Sequence, residues 1–271
     1  MRQIFDIRKL YNPIQPTVNG CVNNVLYNEF LPDVRLQDFI YCYWELKTLE
    51  VLHNPFTYSV VADGCIDVFF DMNDTQDSSV MGFCQKYMEF SLGKTFHYVG
   101  IRFLPTMFPA MFNIDASELT NRCEPLEHVL PALSGFFKTS LSAQNTLNEM
   151  GPILDNYFCN FLSKNVFYND IRVHYAINYI ITNFSTVSIE RDLSKEISAR
   201  QLRRLFEFYI GDTAKRFSQV IRFQNILQLT PSAQYFRKNK PFFDMGYYDQ
   251  THFIKEFKQF YGVSPKQAFG K

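Results

Sequence analysis

Arg200, Arg203 and Arg204 stand at positions i, i+3 and i+4 of one helical pattern, so three guanidinium groups share one side of a helix. A second helical pattern further along presents Gln250, Thr251, His252 and Lys255. The chemistry open to these groups is recognition. Arginine matches the guanine O6/N7 pair and glutamine the adenine N6/N7 pair in the major groove of DNA. The plain alternative is a solvated basic face. A duplication favours recognition: SARQLRRLFEFYIGDTAK from Ser198 recurs as DQTHFIKEFKQFYGVSPK from Asp249, at an offset of 253 − 202 = 51. That offset pairs Leu202 with Phe253, Phe206 with Phe257, Gly211 with Gly262 and Lys215 with Lys266.

Each copy carries its own start, face and stop. Ser198 and Asp249 are N-cap residues, and Gln201 completes a capping box with Ser198. Leu202, Leu205, Phe206 and Tyr209 form one apolar stripe, and Phe253, Phe257 and Phe260 another. Gly211 and Gly262 supply the left-handed residue that ends a helix. Lys215 and Lys266 then fall in the first turn of a following helix, where the dipole disfavours a cation and amides with a nearby ammonium suit a phosphate. A linking helix from Thr213 to Leu229, about 25 Å long, separates two such units by about one DNA turn.

The net charge of zero over 271 residues hides a polarity. Residues 1–170 hold 11 Lys+Arg against 19 Asp+Glu, a balance of −8, and residues 171–271 hold 16 against 8, a balance of +8. A basic C-terminal half fits a polyanion partner beside an N-terminal half that avoids polyanions. The opening MRQIFDIRKL suits no secretory signal and no segment is apolar enough to span a bilayer, so the expected location is the cytoplasm, without membrane contact. Six cysteines without a C-x-x-C pair read as reduced, mostly buried small hydrophobes. Five histidines never form a His-x-His group, so no metal and no cofactor are expected. No catalytic residues are expected either, since no Ser/His/Asp order, phosphate loop or paired carboxylates stand out.

In the N-terminal half FIYCYWEL, TYSVV, CIDVFF, VMGFC, YMEFSL and TFHYVGIRF read as strands of a barrel or sandwich. Helices are expected over 106–112, 126–137 and 142–162, the last interrupted at Gly151-Pro152. SKNVFYND, from Ser163 to Asp170, marks the boundary between a domain at 1–165 and one at 166–271. Thr230-Pro231 and Lys240-Pro241 punctuate the C-terminal helices.

The C-terminal stretch of about 100 residues resembles the AraC/XylS transcription regulators, on SARQLRRLFEFYIG and on MGYYDQTHFIKEFKQFYGVSPKQAF. Two departures stand out: LSKEIS, Leu193 to Ser198, is shorter than the usual first turn, and Pro241-Phe242 stands where Ile-Ala is typical. The resemblance implies two helix-turn-helix units joined by a helix, with base-facing positions at Arg200, Arg203, Arg204, Gln250, Thr251, His252 and Lys255. A weaker resemblance over 30–130, on ADGCIDVFF and VGIRFLP, implies a cupin-like N-terminal β-barrel without the metal motif. The fold class is thus α+β, a β-barrel or sandwich with trailing helices before an all-α domain.

On one face of their strands Asp67 and Arg102 are the isolated charges. Two readings follow: a buried ion pair, or Arg102 as anchor of a small anionic or polar effector with Trp44 and Tyr58 as walls. The expected function is sequence-specific transcription regulation, with promoter DNA, an effector, RNA polymerase and a second copy of the chain as partners. The alternative is an effector-binding or protein-interaction module that no longer reads DNA.

Overall fold

Alternation along the strands decides which side of the sheet each residue occupies. The computed structural model describes residues 7–16, 20–22, 24–74, 77–141, 146–167, 170–183, 189–193, 196–229 and 246–269. Its strands are β1 (Gly20–Val22), β2 (Val25–Phe30), β3 (Ile40–Thr48), β4 (Thr57–Val60), β5 (Ile66–Asp71), β6 (Ser78–Met81), β7 (Met88–Ser91), β8 (His97–Phe103) and β9 (Cys123–Pro125). Seven form an antiparallel sheet in the order β1-β2-β3-β8-β5-β6-β9, while β4 and β7 pair only with each other. The sheet therefore stays open, which corrects the expectation of a closed barrel. Among the described residues no ladder joins its two edges, and β9 ends at Pro125, which has no N–H to continue one.

One face carries Ile66, Val68 and Phe70 of β5 and Val99, Ile101 and Phe103 of β8. It is covered by α2 (Met107–Phe112), α3 (Leu126–Val129), α4 (Pro131–Ser140) and α5 (Leu147–Lys164), whereas α1 (Ile7–Leu10) packs Ile7 into the other core cluster. Burying each such side chain contributes about 1.5–3 kcal/mol, and Phe70 meets Phe137 of α4 with ring centroids 4.8 Å apart. Asp155 of α5 accepts hydrogen bonds from the Tyr43 hydroxyl at 2.9 Å and the Asp33 amide at 3.0 Å, which pins that helix to the sheet. The other face carries Cys42, Trp44, Leu46, Asp67, Phe69, Tyr98 and Arg102. A register shift between Ile40 and Cys42 explains why two residues of equal parity lie on opposite faces.

Two helical expectations change. The stretch 126–137 holds a break at Leu130, because a residue before proline is pushed out of the helical region and Pro131 starts α4 afresh. By contrast α5 runs unbroken through Gly151-Pro152, since a proline in the second turn removes only one ladder bond near a capped start.

The C-terminal helices are α6 (Ile171–Thr182), α7 (Ile189–Leu193), α8 (Ala199–Ile210), α9 (Ala214–Gln228), α10 (Gln250–Tyr261) and α11 (Pro265–Phe269). The Ser163 to Asp170 segment connects α5 to α6. Phe184, Ser194-Lys195, Thr230-Pro231 and Lys240-Pro241-Phe242 lie outside the described residues, so two of the six residues of the first departure and all of the second belong there. Ile177, Leu202, Phe206, Phe217, Phe223, Phe257 and Phe260 share one apolar cluster with Tyr11, Val61 and Phe83 of the sheet domain.

Candidate nucleic-acid interface

The duplicated patterns become α8 and α10. Ser198 Oγ accepts from the Gln201 amide at 3.3 Å and Gln201 Oε1 accepts from the Ser198 amide at 3.3 Å, a reciprocal cap. Asp249 Oδ1 accepts from the His252 amide at 2.7 Å. Gly211 and Gly262 have φ of +94° and +96°, the left-handed stop that favours glycine. Leu202, Leu205, Phe206 and Tyr209 are buried, as are Phe253, Phe257 and Phe260.

The opposite faces are exposed at Arg200, Arg203 and Arg204 on α8 and at Gln250, Thr251, His252 and Lys255 on α10. Arg203 Nε donates to Glu207 Oε1 at 2.8 Å, an exposed i,i+4 pair that solvent screens and that is easily exchanged for a better acceptor. Arg200, Arg203 and Lys215 line one groove of about 500 Å³ between the starts of α8 and α9. Arg204 lies instead in a separate groove with Asp115, Ser117, Glu207 and Asp212, so the arginine trio is divided. Lys266 is exposed in α11, whose start is capped by Ser264 and Gln267.

The linking helix α9 has 15 residues, about 22 Å, slightly less than the sequence suggests. Its Arg222 makes a forked ion pair with the buried Glu256 of α10, at 2.9 Å to each oxygen, and lies over the Tyr247 ring. This clamp fixes α10 against α9. Arg222 lies outside the duplicated segments and Glu256 within the second, where the first has Leu205, and only the charge of Glu256 amid buried aromatic positions hinted at the clamp.

The sheet domain grips the same helices. Thr120 Oγ1 donates to the Gly211 carbonyl at 2.6 Å, the Tyr87 amide to the Gln259 carbonyl at 3.1 Å, and Gln85 Nε2 to Asp212 Oδ2 at 2.7 Å. A Cβ on Gly262 would meet the Tyr87 ring at 2.9 Å. Gln224 of α9, fully buried, accepts from the Ile14 amide at 2.7 Å and donates to the Ile14 carbonyl at 3.2 Å and the Ala62 carbonyl at 2.8 Å.

A cavity of about 230 Å³, room for about eight waters at ~30 Å³ each, opens on the sheet face that carries Trp44. It is lined by Trp44, Tyr58, Phe69, Phe90 and Tyr98, by Asp67 and Asp77, and by Leu46, Val60, Ser79, Met81, Ser91, Leu92 and Cys123. Gly100, paired with Trp44, leaves the space the indole occupies. The indole Nε1–H is buried without a hydrogen-bond partner.

Arg102 does not reach this cavity, which corrects its expected role as an anchor. It is 1% exposed and is held by Asp67 at 3.1 and 3.0 Å, with Asp63 at 3.6 Å and Glu29 at 3.5 Å. The buried ion pair is the reading the geometry supports, because a guanidinium removed from water must be compensated locally. Burial pushes the Asp67 carboxyl up to about 6, with Arg102 opposing the rise. Burial also raises the Cys42, Cys65 and Cys84 thiols, leaving them inert, whereas Cys123 is exposed. Among the described residues no three His, Cys, Asp or Glu side chains form a metal-holding group, and no helix is long and apolar enough to cross a membrane.

Residues 195–270 match the model of a helix-turn-helix domain, and residues 28–125 match that of a domain of unknown function. No curated protein matches the chain. Among solved structures, the chain is similar to an apo ToxT variant from Vibrio cholerae at 12% identity, covering 93% of this chain and 99% of that one, with a TM-score of 0.42. It is similar to a second ToxT structure from Vibrio cholerae at 14% identity, 92% and 98% coverage and a TM-score of 0.40. Wild-type ToxT with bound unsaturated fatty acid gives 12%, 81% and 96%, and 0.41. These likenesses are distant and bear on no ligand or residue role.

Proposed function

We propose that the chain, a DNA-binding transcription regulator by its helix-turn-helix domain at residues 195–270, reads two adjacent major-groove segments. The observation that carries this reading is the pair of helices α8 and α10, each capped by a side chain, each stopped by a glycine, and each with one apolar side buried and a polar side open. Arg200, Arg203 and Arg204 would face bases or phosphates in one half-site, and Gln250, Thr251, His252 and Lys255 in the other. Lys215 and Lys266, at helix starts, would hold phosphates. The groove shared by Arg200, Arg203 and Lys215 supports one combined contact to base and backbone, while Arg204, beside Asp115, is the weaker candidate.

The sheet domain, within residues 1–165, is the controlling part in this reading, and residues 166–271 the DNA-binding part. Tyr58 and Val60 of β4 line the cavity, and the strap from Val61 to Gly64 that follows meets α9 through Gln224 and Phe217. A small-molecule effector walled by Trp44 and Tyr58 would act on α9 through that strap. RNA polymerase and a second copy of the chain complete the proposed partners.

Selection of bound sequences from random duplex DNA, repeated with Arg203→Ala and Gln250→Ala in the full chain, tests the reading. Each substitution should relax base preference in one half-site only, by about 1–3 kcal/mol at the affected position. The larger loss is expected from Gln250→Ala, because α10 follows the family string more closely. No retained sequence and no gel shift at low salt would leave the alternative, a module that does not read DNA.

A further inference from the structure

We infer that the sheet-domain cavity takes a small organic cation. The inference rests on the effector reading of that cavity and names its ligand class. Five aromatic rings and two carboxylates line it, and among the described residues no lysine or arginine does. Aromatic faces attract cations through the ring quadrupole, most strongly where water is excluded. An anion would meet no lining cation.

The ground beneath the cavity has the same sign. Arg102 is the one guanidinium in a cluster with three carboxylates, those of Asp67, Asp63 and Glu29, all within 3.6 Å of it. One positive charge cannot neutralise three negative ones, so the cluster leaves excess negative potential beside the aromatic walls. Asp77, exposed at the rim, adds to it.

Trp44 is the largest of the aromatic walls. Its side chain is 5% exposed, it lines the cavity, and its Nε1–H has no partner. The ring supplies an aromatic wall, while Nε1 has no surface open to the cavity and lies over Gly100 of the sheet.

Trp44 is the one tryptophan of the chain, so its fluorescence reports on this cavity alone. Three probes of matched shape separate the classes: acetylcholine, its neutral carbon isostere 3,3-dimethylbutyl acetate, and 3-acetoxypropanoate. Titrated into the full chain, acetylcholine should change Trp44 emission saturably at about tenfold lower concentration than the neutral ester, and the anion should leave it unchanged. Asp77→Lys, a rim substitution that leaves the core intact, should weaken acetylcholine about fivefold and the neutral ester little. Equal or tighter binding of the neutral ester, or tightest binding of the anion, overturns the cation assignment while the effector cavity stands. Unchanged emission and unchanged melting temperature with all three probes overturns the cation assignment and removes the support for the cavity as an effector site.

Discussion

Replacing Gln224 tests whether the sheet domain and α9 are held together by specific bonds or merely lie against each other. The side chain is fully buried and makes three hydrogen bonds, one accepted from Ile14 and two donated to the Ile14 and Ala62 carbonyls. Gln224→Leu strands all three backbone partners. At about 1–3 kcal/mol for each unsatisfied buried group, partly relieved by relaxation, the expected loss is about 4 kcal/mol and independent of pH. Gln224→Glu keeps the acceptor for Ile14 but sets a carboxylate oxygen against two carbonyls. Its loss should be about as large near pH 8, because an uncompensated buried charge is added.

Protonation of that glutamate restores a donor to Ala62, so its folded pKa must lie above the ~4.3 of a free glutamate. A raised folded pKa means the folded chain takes the proton first. Stability relative to the parent is therefore regained as pH falls through the folded value, and is fully regained below about 4.3. A recovery of about 3 kcal/mol corresponds to a folded pKa near ~6.5, at ~1.4 kcal/mol per unit. Urea unfolding followed by circular dichroism, at several pH values from about 5 to about 8, measures both variants. A Gln224→Glu curve parallel to the parent at every pH, or a Gln224→Leu loss under about 1 kcal/mol, would falsify the claim that these bonds join the domains.

Two further outcomes follow. His174 in α6 is buried with neither ring nitrogen partnered, and burial pushes its pKa down to about 4. With a folded pKa below the unfolded ~6.5, the unfolded chain binds the proton first, so stability is full above about 6.5 and falls by about 3 kcal/mol towards pH 4. The difference in unfolding free energy between parent and His174→Leu should carry that pH dependence, and a flat difference contradicts it. For DNA binding, Lys215→Ala and Lys266→Ala should each flatten the slope of log K against log salt by about 0.9 without altering base preference. An unchanged slope removes that lysine from the phosphate contacts.

The parts legible in the sequence are those governed by neighbours a few residues away. Ser198, Gln201, Asp249, Gly211 and Gly262 act within one turn of themselves, and the six strand segments from FIYCYWEL to TFHYVGIRF declare themselves by alternation. What escaped depends on distant partners. The edge strands β1 and β9 have three residues each, too few to show a period, and β2 mixes Asn28 and Glu29 into its pattern. That Arg102 would be shared among Asp67, Asp63 and Glu29 depends on three strands and a loop converging. Gln224 reads as an ordinary polar residue of an exposed helix until Ile14 and Ala62 are brought to it across more than 160 positions of chain.

The two left-handed glycines have a mechanical consequence. Gly211 and Gly262 end the two candidate reading helices, and both ends are seated on the same sheet domain, one under Thr120 and the other under Tyr87. Callipers with both jaws bolted to one frame have a single opening. If α8 and α10 read DNA as proposed, neither could slide or roll along a duplex without first leaving its seat, and the distance they span would be written into a part of the molecule that never faces the bases.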